Sequence, residues 1–264
     1  MKKHLLTLLF GIFLLASCSG KQSHEGSIVK AETLFSEGKQ LLNAGQYKEA
    51  AEKFEQLQRE HPAHPIIVEG HVQRAYALHS DGQYETAIDV IDAFIQQHPA
   101  HDITPYMFYL KALCYYDQIL DVGRDQDLSI KAQEAFIDLK ERFPGTKYAR
   151  DASLKLEYIH NLLAGKEMDI ARFYLQKGEI IAALNRFHNV VSKYETTIFI
   201  EEALYRLTEI YYTLGDLEQA KVNAVMLGYN YPQSIWYHKA REILYGNQTV
   251  VEMPWYKKIK KELW

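Results

Sequence analysis

Few residues in this chain stand at spacings that could do chemistry. His61-x-x-His64 and His98-x-x-His101 put two imidazoles three residues apart, a spacing that lets both reach one metal ion from a single helix face. Each pair straddles a proline, Pro62 or Pro99, where helical geometry breaks, so no metal site is expected there. The acids of Asp121 to Asp127 resemble part of a calcium loop, but no Glu occupies the required end position, and the run reads as a solvated connection. Cys114 lies in the apolar helical stretch Leu110-Lys111-Ala112-Leu113-Cys114-Tyr115 and reads as a buried structural thiol rather than a nucleophile. No P-loop, paired-glycine dinucleotide fingerprint, His-Glu-x-x-His or Gly-x-Ser-x-Gly occurs. Catalysis has no motif to rest on, and neither a metal nor a cofactor is expected.

The other cysteine is different. Lys2 and Lys3 form a positive start, Leu5 to Leu15 a short apolar run, and Leu15-Ala16-Ser17 sets small residues before Cys18. The run is too short to span a bilayer comfortably, which favours a signal peptide over a membrane helix. Leu-Ala-Ser-Cys matches the bacterial lipoprotein signal, and that match implies cleavage before Cys18 and lipid on its sulfur and amine. Several acyl chains on one residue give stable anchoring, at about 0.8 kcal/mol per buried methylene. Ser19 follows the cysteine, where inner-membrane lipoproteins carry Asp, so outer-membrane delivery is expected. The formal charge of −4 becomes −6 once Lys2 and Lys3 leave, which speaks against a nucleic-acid partner.

The elements that position everything else repeat. Gly45-Gln46-Tyr47-Lys48-Glu49-Ala50, followed by Phe54 and His61-Pro62, recurs 37 residues later as Gly82-Gln83-Tyr84-Glu85-Thr86-Ala87, Ile91 and His98-Pro99. Weaker copies run through Gly178, Ala183 and Phe187 and again through Gly215, Ala220 and Ala224. Each copy reads as a helical hairpin in which Gly ends the first helix and a small Ala lets the second pack close. The expected fold is all-α, a solenoid of five tetratricopeptide-like hairpins. Repeat three carries an insertion at Asp121 to Asp127. The surplus between Tyr148 and Gly165 lengthens the first helix of repeat four into a linking element, unless Gly165 breaks it. The expected segments are a signal peptide (1–17), lipidated Cys18 with a tether (18–29), repeats one to three (30–146), repeats four and five (147–246) and a tail (247–264).

First helices of such arrays line a groove that binds extended peptide. Groove-facing candidates are Phe35 and Lys39, then Val72, Tyr76 and His79, then Tyr106, Tyr109 and Tyr116. Aromatic rings with polar tips suit apolar or aromatic peptide ends, although tyrosines packed simply between helices fit the same pattern. In the tail, Trp255, Ile259 and Leu263 recur every four residues among four lysines. It reads equally as a short amphipathic contact with headgroups or a partner and as a helix capping the last repeat.

With its lipid-signal cysteine, its repeats, Phe143-Pro144-Gly145-Thr146-Lys147-Tyr148-Ala149, the linking helix and Ala182-Ala183-Leu184-Asn185-Arg186, the sequence resembles the BamD family. These are lipoproteins of the outer-membrane β-barrel assembly machine. The resemblance implies a non-catalytic scaffold on the periplasmic face of the outer membrane. Its N-terminal repeats would receive unfolded barrel proteins through Phe35, Tyr76, Tyr109 and Tyr116. Its C-terminal repeats would dock on a BamA-like barrel-forming subunit through Arg186, Arg206 and Trp255. A short insertion and an aromatic-basic tail depart from the family pattern. A repeat adaptor for cell-wall enzymes is the alternative. A nutrient-capture lipoprotein fits less well, because the three tryptophans all lie near the C-terminus.

Overall fold

The computed structural model describes residues 29–119 and 126–246. Cys18, Trp255, most of the repeat-three insertion and the whole tail lie outside the described residues.

The described residues form α1 (Ala31–Asn43), α2 (Tyr47–Glu60), α3 (Ile67–Ser80), α4 (Tyr84–Gln97), α5 (Thr104–Tyr116) and α6 (Asp127–Arg142). They continue as α7 (Lys147–Gln176), α8 (Ile180–Lys193), α9 (Ile200–Leu214), α10 (Leu217–Asn230) and α11 (Ile235–Tyr245). No strand occurs among them. The fold is all-α, built of tetratricopeptide-like hairpins. The chain divides into two compact units within α3, between Ala77 and Leu78.

Four turns repeat one hydrogen-bond pattern. Gly45, Gly82, Gly178 and Gly215 all adopt φ between +73° and +82°, a left-handed conformation that costs any residue with a Cβ about 1–2 kcal/mol. Gly45 N–H donates to the Leu42 carbonyl at 3.0 Å and Gln46 N–H to Leu41 at 2.9 Å. Thirty-seven residues apart, Gly178 and Gly215 close the same double bond, with Glu179 N–H on Tyr174 and Asp216 N–H on Tyr211, each at 2.9 Å. Each pair satisfies carbonyls that the end of a helix leaves without partners. The histidines stand at the other end of the hairpin. His64 Nδ1 accepts from Ile66 N–H at 3.3 Å, and His101 Nδ1 accepts from Ile103 N–H at 3.2 Å. They recur because the turn they close recurs.

In the first unit, α1 packs on α2. The Phe54 ring is fully buried and lies over Gly38, where an added Cβ would sit 2.7 Å from Phe54 Cζ. Phe35 meets the same ring edge-on, with centroids 5.8 Å apart.

In the second unit each helix from α4 to α10 packs on the next, and α11 closes on α9 and α10. Ala132, Phe136 and Leu139 of α6 form one core with Ala152, Leu156, Ile159 and Leu163 of α7. Ala164, Met168 and Ala171 of α7 form another with Phe187 and Val190 of α8 and Leu207 and Ile210 of α9. Thirty residues of α7 serve both, a length of about 45 Å. Gly165 is buried inside this helix and does not break it. The Thr146 hydroxyl starts it by accepting from Ala149 N–H at 3.1 Å. Among the described residues no helix is long and apolar enough to cross a membrane.

Gly38→Ala forces Phe54 to move and should destabilise the α1–α2 pair by about 1–3 kcal/mol, read as faster amide hydrogen exchange in those helices. Burial holds the His188 imidazole below its ordinary range, and burial with the nearby Lys140 charge does the same to His160. Neutral histidine is thus favoured in the fold, so this stability is complete above the unfolded value of about 6.5 and is lost as pH falls below it. Between pH 7.5 and pH 5.5 the melting temperature should fall. The double variant His160→Gln, His188→Gln should fall less over the same range.

Candidate functional site

Two stripes of side chains face each other across α5 and α7. On α5, Tyr106, Tyr109 and Tyr116 keep the three-and-four spacing of one helix face. On α7, Tyr148, Asp151, Lys155 and Tyr158 do the same. The Tyr148 ring lies 5.7 Å from Tyr106 and 5.3 Å from Tyr109. The Tyr109 hydroxyl donates to Asp151 Oδ2 at 2.6 Å. Lower on the row, Tyr116 meets Tyr158 edge-on at 5.9 Å, and Lys155 Nζ stands 5.2 Å from the Tyr116 ring centre. Phe136 closes the row from beneath, against both Tyr109 and Tyr116.

The electrostatics keep this row neutral at its rings and charged at its rim. Burial pushes the Tyr109 hydroxyl above its ordinary range, and the bond to Asp151 pushes it further. Burial does the same to Tyr116, against a smaller opposing effect of Lys155. The Asp151 carboxyl is held below its ordinary range, first by the Tyr109 hydrogen bond and then by Lys155. Tyr109 therefore remains a donor and Asp151 an acceptor across the physiological range. Tyr158 is half exposed and Lys147 holds its ammonium 5.1 Å from the Tyr148 ring centre. This surface can stack on rings and bond to backbone groups. Burial pushes the Cys114 thiol up to about 12, so it stays protonated. Among the described residues no cluster of His, Cys, Asp and Glu could hold a metal ion.

A cleft of about 450 Å³ opens between α4, α5 and α6, with Phe108 and Tyr115 in its wall. Lys111 bonds to both oxygens of Asp92, and Arg142 lies over the Phe108 ring beside Asp138. These paired charges leave the cleft with little field of its own.

At the C-terminal end, α7 carries charges for its neighbours. Glu167 accepts from Arg186 at 3.1 Å and from Asn189 at 3.2 Å, both on α8. Arg172 grips Glu202 of α9 with two bonds, at 3.1 and 2.6 Å. Burial alone would raise the Glu202 carboxyl, but Arg172 and Arg206 hold it below its ordinary range. Arg206 donates to Glu209 at 2.9 Å and lies 5.3 Å from the Tyr205 ring. Tyr205 stacks on Trp236 of α11 at 5.1 Å, with Lys239 Nζ 4.5 Å above the indole.

A profile of the family described as "YfiO: Outer membrane lipoprotein" matches residues 28–244. The chain belongs to this family. A relative from Rickettsia prowazekii, named outer membrane protein assembly factor BamD, is 42% identical over 94% of this chain and 99% of its own. A BamD of Caulobacter vibrioides is 40% identical over 88% of this chain and 77% of its own. One of Neisseria meningitidis serogroup A is 30% identical over 89% and 93%.

Within this member of the YfiO family, the residues singled out from sequence occupy different settings. Tyr109 and Tyr116 come together on one face. Tyr76 is exposed on α3, and Phe35 is buried in the first core. Arg186 and Arg206 each hold a carboxylate of their own chain. Sequence reasoning missed Tyr148, Asp151, Lys155 and Tyr158, although their spacing was visible, because nothing local says which helix they face. Tyr109→Phe removes the donor from Asp151. It should destabilise the protein by about 1 kcal/mol in urea unfolding and raise the Asp151 pKa in an NMR titration.

Proposed function

We propose that this protein is a non-catalytic scaffold for assembly of outer-membrane β-barrel proteins. The carrying observation is the 42% identity that runs over nearly the full length of both this chain and a relative named as an outer-membrane protein assembly factor. Cys18 bears the lipid anchor, which holds the chain on the periplasmic face of the outer membrane. Residues 30–146 receive the C-terminal strand of an unfolded barrel protein. The tyrosine row of α5 and α7 is the favoured seat, since its rings are neutral and its rim bears both an acceptor and cations. In the first unit the exposed Tyr76 is a separate contact for such a strand, and Phe35 serves that unit indirectly, by fixing α1 on α2.

Residues 147–246 dock on a BamA-like barrel-forming subunit. Arg206 is the central contact, already oriented by Glu209 and flanked by the cationic stack of Tyr205, Trp236 and Lys239. Arg186, bonded to Glu167, is a second contact on the same unit. Charge-assisted bonds from a pre-oriented guanidinium to a partner carboxylate are the strong kind.

The test is a mild-detergent pull-down of the tagged, lipidated protein from its native membrane, read by mass spectrometry. Recovery of a β-barrel protein with periplasmic domains at near-equal stoichiometry is expected, and Arg206→Ala should cut that recovery at least tenfold. Recovery of cell-wall enzymes without such a barrel overturns the proposal in favour of an adaptor.

A further inference from the structure

The last hairpin carries a pocket whose one charge is uncompensated. Where α10 ends and α11 begins, Glu201, Asn230, Tyr231, Pro232, Gln233 and Ser234 line a space of about 400 Å³. Glu201 is the second residue of α9. Its neighbour Glu202 is taken by Arg172 and Arg206, whereas among the described residues no cation pairs with Glu201. The helix dipole favours an acid in a first turn, which lets this carboxylate stand without a counter-ion. Its place in the array is unusual. Ala31, Val68 and Pro105 stand 37 residues apart near the starts of α1, α3 and α5, and Ala164 of α7 stands 37 before Glu201. Ala31 and Ala164 are buried, and only the last hairpin puts a carboxylate at this place. The rest of the wall offers acceptors and one ring. Asn230 Nδ2 donates to the Met226 carbonyl at 3.1 Å, which leaves its amide oxygen as an acceptor. Burial, then the charges of Glu201 and Glu195, hold the Tyr231 hydroxyl above its ordinary range, so Tyr231 stays neutral.

We propose that this pocket receives an arginine side chain from the partner on which residues 147–246 dock, an inference that rests on that docking reading. The wall selects a cation, since it joins a carboxylate without a counter-ion to amide oxygens and a tyrosine ring. A guanidinium suits it better than an ammonium. Its fork bonds to a carboxylate through two parallel N–H groups while its plane can lie on a ring. Place argues for a protein partner rather than a free ligand. Tyr205 stands one turn after Glu201 on α9, and Trp236, whose N–H donates to Ser234 Oγ at 3.1 Å, stands two residues after the pocket's last member. The Tyr205–Trp236 stack therefore begins where the pocket ends, and the pocket is continuous with the surface proposed for the partner. Charge alternates along that surface. Arg206, about 7.5 Å further along α9, is set for a partner carboxylate, and Glu201 for a partner arginine. Opposite charges in a fixed order select one register, because any other brings like charges together.

The experiment places a photo-crosslinking benzoyl-phenylalanine at the exposed Gln233, on the wall of the pocket, in the full, lipidated chain in its native membrane. Mass spectrometry should find the attachment on the periplasmic part of a β-barrel protein, within about three residues of an arginine. In the detergent pull-down, Glu201→Arg should lower recovery of that barrel protein at least tenfold, and Glu201→Gln at least threefold. Changing the partner's arginine to glutamate should lower recovery as far as Glu201→Arg does. Combining the two changes should restore at least half of the original recovery. An attachment with no arginine in reach, or one on a second copy of this chain or on lipid, overturns the proposal. So does recovery undiminished by Glu201→Arg, or a charge exchange that restores nothing. If the unaltered chain recovers no barrel protein, the docking reading falls and this assignment with it. If the barrel protein is recovered but is indifferent to Glu201, the assignment falls alone. Should Glu201→Arg fail to fold by far-ultraviolet circular dichroism, Gln233→Arg carries the comparison, since it sets a cation beside the intact Glu201 and should also lower recovery.

Discussion

The continuity of α7 is the constraint on which the second unit depends. Its first half supplies Ala152, Leu156, Ile159 and Leu163 to one core, and its second half supplies Ala164, Met168 and Ala171 to the next. A glycine in mid-helix costs about 1 kcal/mol relative to alanine. Burying even one leucine or phenylalanine returns about 2 kcal/mol, so the packing on both sides of Gly165 outweighs its local preference. The same rod sets the register of the chemistry on its surface. Tyr148, Asp151, Lys155 and Tyr158 occupy its first three turns, and Glu167 and Arg172 its last three. A break between them would uncouple the tyrosine row from the ion pairs that hold α8 and α9.

Those ion pairs give Arg186 a double duty. Glu167 and Glu202 are largely covered, their side chains 16% and 13% exposed, and a covered carboxylate without a partner is costly. Arg186 therefore belongs to the fold before it belongs to any interface, and a lysine there would not replace the forked geometry. Arg206 is freer, because Arg172 by itself keeps two bonds on Glu202. The stack of Tyr205 and Trp236, held between Arg206 and Lys239, packs against the core of Ile200, Leu204, Ala224, Leu227 and Ala240.

Much of the architecture was legible in the residues themselves. The 37-residue pitch, the turn glycines and the small alanines are local signals, and each reappears as a turn or a buried position. Gly165 was ambiguous because helix propensity is local while the packing that overrides it is not. Phe35 resembled a groove residue because it lies beside the buried Leu34 on the helix surface; only the absence of a side chain at Gly38 brings Phe54 near enough to cover it. The stripe on α7 has a visible period but no visible partner, since which two helices pair is decided by the whole array. The histidines invited a metal reading for the opposite reason. Their chemistry is broad, and only the geometry shows one ring nitrogen of His64 and one of His101 accepting from the backbone.

The turns at Gly45, Gly82, Gly178 and Gly215 have open space where a side chain would begin, and their closing hydrogen bonds run only between residues at most five apart. Each turn is therefore finished by its own residues and asks nothing of the rest of the molecule. A chain built this way can be lengthened between the two helices of a hairpin without disturbing either helix. The surplus of the third repeat falls at such a place. Growth of the array is thus a matter of punctuation rather than of redesign, and variety among such chains should gather at the hairpin turns.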